Sequence, residues 1–279
     1  TPKTLFQILD QFNHEVESDD SVNGVQDIKL IVSLMIKSRS YSPVHWVAAI
    51  SQIVASETRR SKANSLEGGL ISDTDDAEKI GESKASQDEA YSWQVKVFAM
   101  KCLDELLHTY SSLPEHMTAQ IEYGSNDYLV QHLGQIINTC SIALSKGTFS
   151  VKYYGLHIFQ TLIKVFAATA DPEAPEDSIL QIHDTRFATA ISLGFEPKNP
   201  PMLCYASCQL ASLYIPSRII ANQPSQMSRM CHFLTEQLSA DFNTNQYGEI
   251  AATMIRVAIL AALSVIYNTA DDTKNTSLL

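Results

Sequence analysis

The stretch Ser150–Ala167, SVKYYGLHIFQTLIKVFA, follows the apolar period of a helix. It is too apolar for a free surface helix, which has a wide polar face, and too charged to span a membrane. One side of the helix is predicted to carry Val151, Gly155, Ile158, Phe159, Leu162 and Phe166. A similar pattern occurs earlier in the chain, at Gln94–Tyr110, QVKVFAMKCLDELLHTY. The chain therefore repeats one kind of buried helix.

The two stretches align residue by residue, with Val95–Ala99 over Val151–Gly155, and a weaker third copy begins at Met202. Each copy has a small residue followed by large apolar residues four and seven positions later. The small residues are Ala99, Gly155 and Ala206. A small side chain at a fixed place lets a neighbouring helix approach closely. Units that each leave an apolar face uncovered must stack on one another.

Helical periodicity continues through almost the whole chain, and we find no credible strand. We predict an all-α fold, a right-handed α-solenoid of about five HEAT-type helical hairpins, although the repeat period is slightly long for HEAT repeats. The predicted hairpins pair Leu5–Glu17 with Val25–Lys37, Pro43–Ser56 with Ser92–Tyr110, Asp127–Ser145 with Thr148–Ala168, Glu176–Leu193 with Asn199–Ile215, and Ser225–Ala240 with Gln246–Asn268.

Composition divides the chain into four parts. Residues 1–57 and 92–268 are predicted to be HEAT-type helices, residues 58–91 a disordered insert rich in Ser and acidic residues, and residues 269–279 a disordered tail. Ser92 and Asp127 are expected to cap the helices that follow them. Two predicted inward-facing sets are Ile28, Ile31, Leu34 and Met35 in the second predicted helix, and Ile179, Ile182, Phe187 and Ile191 in the seventh.

Charge and apolar runs limit the function. A net charge of −11 over 279 residues opposes general binding to nucleic acid or to an anionic membrane surface. The longest apolar run, Arg256–Tyr267, is shorter than the roughly 20 residues that cross a bilayer, so we expect no membrane insertion. The five cysteines are expected to be reduced thiols of a cytosolic protein. Since the chain opens at Thr1 rather than Met, we expect a fragment of a longer protein.

Lysines recur at one place in successive units, Lys96 and Lys152. They are either solvated helix surface or part of a polar ladder on the inner helices of the solenoid, exposed on a concave groove that binds a protein. The predicted ladder consists of Lys96, Lys101, Lys152, His157 and Arg256. The acidic segment SDTDDAEKIGE of the insert is either a solubilising linker or, if its serines take phosphate, a docking motif.

Signs of chemistry are weak. Cys204 and Cys208 lie on one helical face and could present two thiolates to a metal, but no further ligand motif completes a site, which favours buried core cysteines. The sequence contains no GxSxG, no phosphate-binding glycine loop and no Rossmann fingerprint. We therefore expect no catalysis, no metal and no cofactor.

From Asp127–Ile137, DYLVQHLGQII, onward, the chain resembles the HEAT-repeat-containing protein 5 family, whose fungal members are large clathrin-adaptor accessory proteins. The resemblance covers about Ser92 to Asn268. The other similar segments, in the family's order, are Val97–Leu103, Gly155-Leu156, Asp171–Leu180, Ser207-Cys208-Gln209 and Glu249–Ala262. The chain departs from the family's usual Leu-Arg at Val151-Lys152 and from its usual Ala-Lys-Ala at Tyr205-Ala206-Ser207.

The resemblance implies a piece of a very long cytosolic solenoid that acts as a non-enzymatic scaffold. Its partners would be the type-one clathrin adaptor complex and accessory subunits. Its place would be peripheral, at the trans-Golgi network, endosomes and clathrin-coated vesicles. The alternative function is that of another HEAT or armadillo solenoid that binds peptides or proteins, such as a transport receptor or a regulatory subunit.

Overall fold

Helices form nearly all of the regular structure in the computed structural model, which describes residues 1–14, 19–58, 90–117, 127–239 and 244–276. Within those residues there is no strand, only isolated bridges at Thr58–Tyr91 and Ala170–Ser178. The helices are α1 Pro2–His14, α2 Asp19–Lys37, α3 Pro43–Ala55, α4 Trp93–Ser111, α5 Pro114–Met117, α6 Leu133–Lys146, α7 Phe149–Phe166, α8 Asp184–Gly194, α9 Pro201–Tyr214, α10 Pro224–Ser239 and α11 Thr244–Thr276. Short 3₁₀ turns at Leu129–His132 and Gln181–His183 precede α6 and α8.

The helices pair as the sequence predicts. Helix α1 packs on α2, α3 on α4, α6 on α7, α8 on α9, and α10 on α11. The first helices of successive hairpins also pack in chain order, from α1 through α3 and α6 to α8; with α10, they form what we call the first layer. The second helices α2, α4, α7, α9 and α11 pack in the same order and form the second layer. This two-layer stack confirms the all-α solenoid of five hairpins.

Hairpin α6–α7 shows why the repeated helix needs a small residue. Gly155 is buried on the side of α7 that meets α6, where an added Cβ would lie 3.3 Å from Leu144 Cγ and 3.4 Å from the Cys140 carbonyl oxygen. The related positions Ala99 and Ala206 are also buried. The predicted small position is therefore a site of close helix contact.

Two predicted helix caps act differently from the prediction. Ser92 is the N-cap residue of α4, but its side chain makes no capping bond; its amide donates instead to Asp10 Oδ1 at 2.9 Å. Asp127 does not cap the helix that follows it. Its Oδ1 accepts from the amide of Val44, at 3.1 Å, in the first turn of α3, and contacts His132 Nε2 at 3.0 Å. A carboxylate is favourable there because the amides at a helix N-terminus lack intrahelical partners.

Two predicted inward-facing sets are partly wrong. In α2 the structure buries Val32 and Ile36 and exposes Ile31 and Leu34, at 48% and 54%. The helical spacing of the predicted set was correct, but the set was placed on the wrong side of the helix. Apolar residues occur on almost every side of α2, so spacing alone does not identify the buried side. Ile182 is 73% exposed because it lies in a 3₁₀ turn, where helical spacing does not apply.

The two segments predicted to be disordered differ in how much of each lies within the described residues. Helix α11 continues past Asn268 to Thr276, so the predicted tail is helical up to that residue. The predicted insert, residues 58–91, lies almost entirely outside the described residues.

Helix α11 is also longer than the apolar run Arg256–Tyr267 that it contains. Gly248 has a φ of 72°, which breaks the helix there. From Gly248 to Asn268 the helix has a mean hydropathy of 2.1, enough by length and composition to cross a membrane. Core helices of globular proteins pass the same test, and α11 packs on α9 and α10.

Candidate protein-interaction surface

The second layer has a side that no first-layer helix covers, and we call it the second-layer surface. It is formed by α2, α4, α7, α9 and α11. Polar contacts join these helices at the start of the stack. Between α2 and α4, Ser33 Oγ donates to Glu105 Oε1 at 2.8 Å, and Lys37 Nζ lies 3.1 Å from the same oxygen.

A carboxylate on α4 joins that helix to α7. Asp104 Oδ1 lies 3.3 Å from His157 Nδ1 and accepts from Thr161 Oγ1 at 3.0 Å. The hydrogen bond to Asp104 raises the pKa of His157 above its usual value, although partial burial opposes this. Burial alone would raise the pKa of Asp104, but His157 and Thr161 outweigh it, and the pKa is lowered. The pair therefore favours a protonated imidazole next to an ionised carboxylate.

One turn away from this pair, Lys101 of α4 lies over the ring of Tyr154 of α7, with Nζ 5.5 Å from the ring centroid. Lys101 is exposed and His157 is half-buried. The structure thus brings two of the five predicted ladder residues together, on the seam between α4 and α7. A cation on an aromatic face is held in place while its charge stays accessible to a partner.

Lys96 is not on the exposed surface. It is 5% exposed, and its ammonium group donates to the carbonyl oxygen of Ser56, at the C-terminal end of α3. Burial lowers its pKa, and the nearby Glu57 carboxylate acts in the opposite direction. The prediction that Lys96 is exposed on a groove is therefore wrong. The physical reason is that the free carbonyls at a helix C-terminus attract a cation.

Lys152 is also mostly covered. Its Nζ donates to Asn199 Oδ1 at 3.4 Å and lies 3.6 Å from Glu196 Oε2, both in the loop between α8 and α9. The aligned lysines thus hold different loops: Lys96 binds within its own hairpin, and Lys152 binds the next one. Arg256 is exposed on α11, well separated along the stack from the other ladder residues. A binding role for these residues stays a prediction.

The surface becomes apolar between α9 and α11. A groove of about 660 Å³ lies there, lined by Pro201, Met202, Tyr205, Thr253, Met254, Ile255, Val257, Ala258 and Ala261. None of these side chains is charged. None of the predicted site residues lines this groove. Its signal was the run Arg256–Tyr267, which is apolar on more sides than one buried stripe requires.

Cys204 and Cys208 are buried, with exposed fractions of 1% and 2%, which confirms the prediction that they are core cysteines. Burial raises the pKa of Cys204 to about 11 and that of Cys208 to about 12. The Cys204 thiol lies 3.4 Å from the carbonyl oxygen of Gly194 as a donor. Both groups are therefore neutral thiols at physiological pH.

Comparison with known proteins agrees with this architecture. The family model described as the Laa1/Sip1/HEATR5 HEAT repeat region matches residues 128–279, which is more than half of the chain. Protein SWEETIE of Arabidopsis thaliana is 24% identical over 285 aligned residues, which cover 92% of this chain. The chain spans only 12% of the length of that relative. No solved structure matches the chain at a significant level.

The family match and the stacked hairpins agree on the same region of the chain. Residues 128–279 contain α6 to α11, that is, the last three hairpins. A HEAT-repeat region of this kind supports a scaffold-type role, since stacked repeats offer extended surfaces to other proteins. The chain belongs to the Laa1/Sip1/HEATR5 family.

Proposed function

We propose that this chain is a non-enzymatic scaffold segment that acts with the type-one clathrin adaptor complex in vesicle traffic between the trans-Golgi network and endosomes. Its place would be cytoplasmic, peripheral at those membranes and at clathrin-coated vesicles. Support for the coarse role comes from the family match over residues 128–279. The adaptor, its accessory subunits and the location rest on the resemblance of the sequence to clathrin-adaptor accessory proteins.

The observation that carries the proposal is the second-layer surface itself. Its helices are tied to one another by buried and half-buried contacts, such as Gln160 Nε2 of α7 donating to the Ala206 carbonyl oxygen of α9 at 2.9 Å. Such contacts fix the spacing between neighbouring helices. Accessible groups on a rigid surface bind without a large ordering cost. Lys101 and Arg256 are the exposed cations of the predicted ladder.

The chain as a whole carries a charge of −11, so the positive charge of Lys101 is opposite in sign to the net charge of the chain. An acidic segment of a partner would be attracted to Lys101 and repelled by the net negative charge of the chain. This difference would orient the partner more than it would add affinity, because exposed ion pairs contribute little.

The test is a pull-down from cytosol with the whole chain as bait, scored for subunits of the clathrin adaptor and its accessory proteins. We expect the wild-type chain to capture them and a Lys101→Glu, Arg256→Glu double variant to capture clearly less. Lys198→Glu is the matched control, because Lys198 is an exposed lysine in the α8–α9 loop, and it should bind as the wild type does. Capture of no adaptor subunit by the wild-type chain would contradict the proposal. Equal loss in the control and the double variant would contradict the assigned surface.

A further inference from the structure

Helix α11 carries a second apolar stripe in addition to the one it buries. Its members are spaced by four, three, four and four residues: Ile250, Met254, Val257, Ala261 and Val265. Ile250 is 80% exposed, Met254 66% and Val257 59%, whereas Ile255 and Ile259 on the buried stripe are fully covered. A four–three spacing is the period of a seam between two packed helices. We call this set the α11 seam.

The α11 seam is shared with α9. Met202 and Tyr205 of α9, at 53% and 48% exposure, form the other wall of the groove next to Met254 and Val257. A hairpin stacked on the end of the solenoid would lie on the side of α11 away from α9. Helical spacing gives that side to Glu249, Arg256 and Leu260, about 100° around the helix from the seam. The groove therefore suits a helix lying across α9 and α11.

Two copies of the α11 seam fit each other when the two helices run in opposite directions. In an antiparallel pair whose two-fold axis passes beside Val257, Met254 faces Ala261 of the other copy, and Ile250 faces Val265. A large side chain then meets a small one, as interdigitating helices require. Because no charged residue lines the groove, two copies of it meet without like-charge repulsion at the contact.

The exposed area is also of the right size. Six apolar side chains on the seam and on α9 together leave on the order of 700 Å² exposed, close to the roughly 800 Å² per partner of a standard specific interface. It also exceeds the apolar patches of a typical monomer, about 300–600 Å². These residues are Met202, Tyr205, Ile250, Met254, Val257 and Val265.

We propose that the groove between α9 and α11 binds a second copy of this chain, as an antiparallel two-fold pair of α11 helices centred near Val257. The interaction goes beyond the proposed adaptor role, because it requires no other protein. Since each chain carries a charge of −11, the two copies repel each other outside the contact. Added salt screens that repulsion, so the dimer should strengthen as salt rises.

Analytical ultracentrifugation of the whole chain, from about 1 to 100 µM, tests the proposal. The wild type should change from monomer to dimer in this range, at lower concentration in high salt. Met254→Glu should weaken the dimer about 30-fold or more, as expected for a central contact. Leu34→Glu is the control, because Leu34 is a comparably exposed apolar residue on α2 and should leave the dimer unchanged. Circular dichroism checks that both variants stay folded.

Cysteine cross-linking tests the geometry. Val257→Cys should form a covalent dimer on mild oxidation, because the two-fold axis brings its two copies together. Ile250→Cys should not cross-link to itself but should cross-link when mixed with Val265→Cys. Strong self-linking of Ile250→Cys would overturn the antiparallel arrangement. A wild type that stays monomeric at every concentration and salt would overturn the dimer, and flotation of that monomer with neutral phosphatidylcholine vesicles would assign the seam to lipid instead.

Discussion

Replacing Gly194 with alanine should destabilise the protein, although the same change normally stabilises a helix. Gly194 is the last residue of α8 and packs against α9. A Cβ built there would lie 1.7 Å from Ser207 Oγ, 2.7 Å from Ser207 Cβ and 3.2 Å from the Leu203 carbonyl oxygen. Rotating the Ser207 hydroxyl relieves only the first of these contacts. The other two belong to Cβ and backbone atoms of α9, so α8 and α9 must move apart.

Two opposing effects set the size of the change. Alanine in place of glycine favours a helix by about 0.5–1 kcal/mol. Overpacking of a buried contact disfavours the fold by about 1–3 kcal/mol, with the upper end expected where atoms overlap this strongly. We expect a net loss of about 2 kcal/mol in the free energy of unfolding. For a chain of this size that lowers Tm by about 4–8 °C.

Urea unfolding followed by circular dichroism measures this loss, and a double-mutant cycle assigns its cause. Ser207→Gly removes both side-chain atoms that the new methyl group meets. The double variant Gly194→Ala, Ser207→Gly should therefore recover at least about 1 kcal/mol relative to the sum of the single changes. If Gly194→Ala leaves stability unchanged or raises it, α8 and α9 do not approach closely at Gly194. A coupling energy near zero would show that the loss arises elsewhere.

Three further predictions concern the stability of the fold. Gly155→Ala should be neutral or mildly stabilising, since its nearest new contact is 3.3 Å, while Gly155→Leu should lose at least about 1–3 kcal/mol by thermal unfolding. Burial lowers the pKa of His116, so the protein should lose stability as the pH drops below 6.5, the ordinary pKa of histidine, towards the lowered pKa of the folded state. The hydrogen bond to Asp104 raises the pKa of His157, so His157 stabilises the fold below pH 6.5, and this stabilisation is lost as the pH rises through the raised pKa of the folded state. Urea unfolding midpoints measured from pH 5 to 8 should therefore lose the fall at low pH in His116→Gln and the fall at high pH in His157→Gln. A pH profile that is unaltered in both variants would contradict both assignments. Asp127→Ala should cost about 0.5–2 kcal/mol by removing the acceptor at the start of α3, and Asp127→Asn less, whereas equal costs would argue against a hydrogen-bonding cap.

The hairpin architecture could be predicted from the sequence because each helix must bury a stripe. Ser150–Ala167 and Gln94–Tyr110 share one pattern of apolar and small residues, and neither can be stable alone. The pairing of all five hairpins followed from this pattern and from proline positions between helices. Gly155 could likewise be identified as a contact point, because the repeat holds small residues at the aligned positions. The buried stripes, the hairpin pairing and the contact at Gly155 all depend on residues close in sequence, so helical spacing is enough to predict them.

The surface was harder to predict, because solvent exposure depends on where the other helices lie. Lys96 and Lys152 align in sequence, yet one is buried under the end of α3 and the other binds the α8–α9 loop. In α2 the apolar residues occupy nearly every side, so only contact with α1 and α4 decides that Val32 is buried and Leu34 exposed.

Long-range contacts also decided which groups act together. Sequence proximity suggested that Asp127 caps the helix after it, but the fold places its carboxylate at the amide of Val44, far away in the chain. The close approach of Gly194 to Ser207 and the groove between Met202 and Met254 likewise exist only once α8, α9 and α11 are packed. The sequence by itself determined that the helices form and pair, because that depends on burying a stripe at a local period. Which polar groups meet, and which apolar side chains stay exposed, was decided by the stacking of one hairpin on the next.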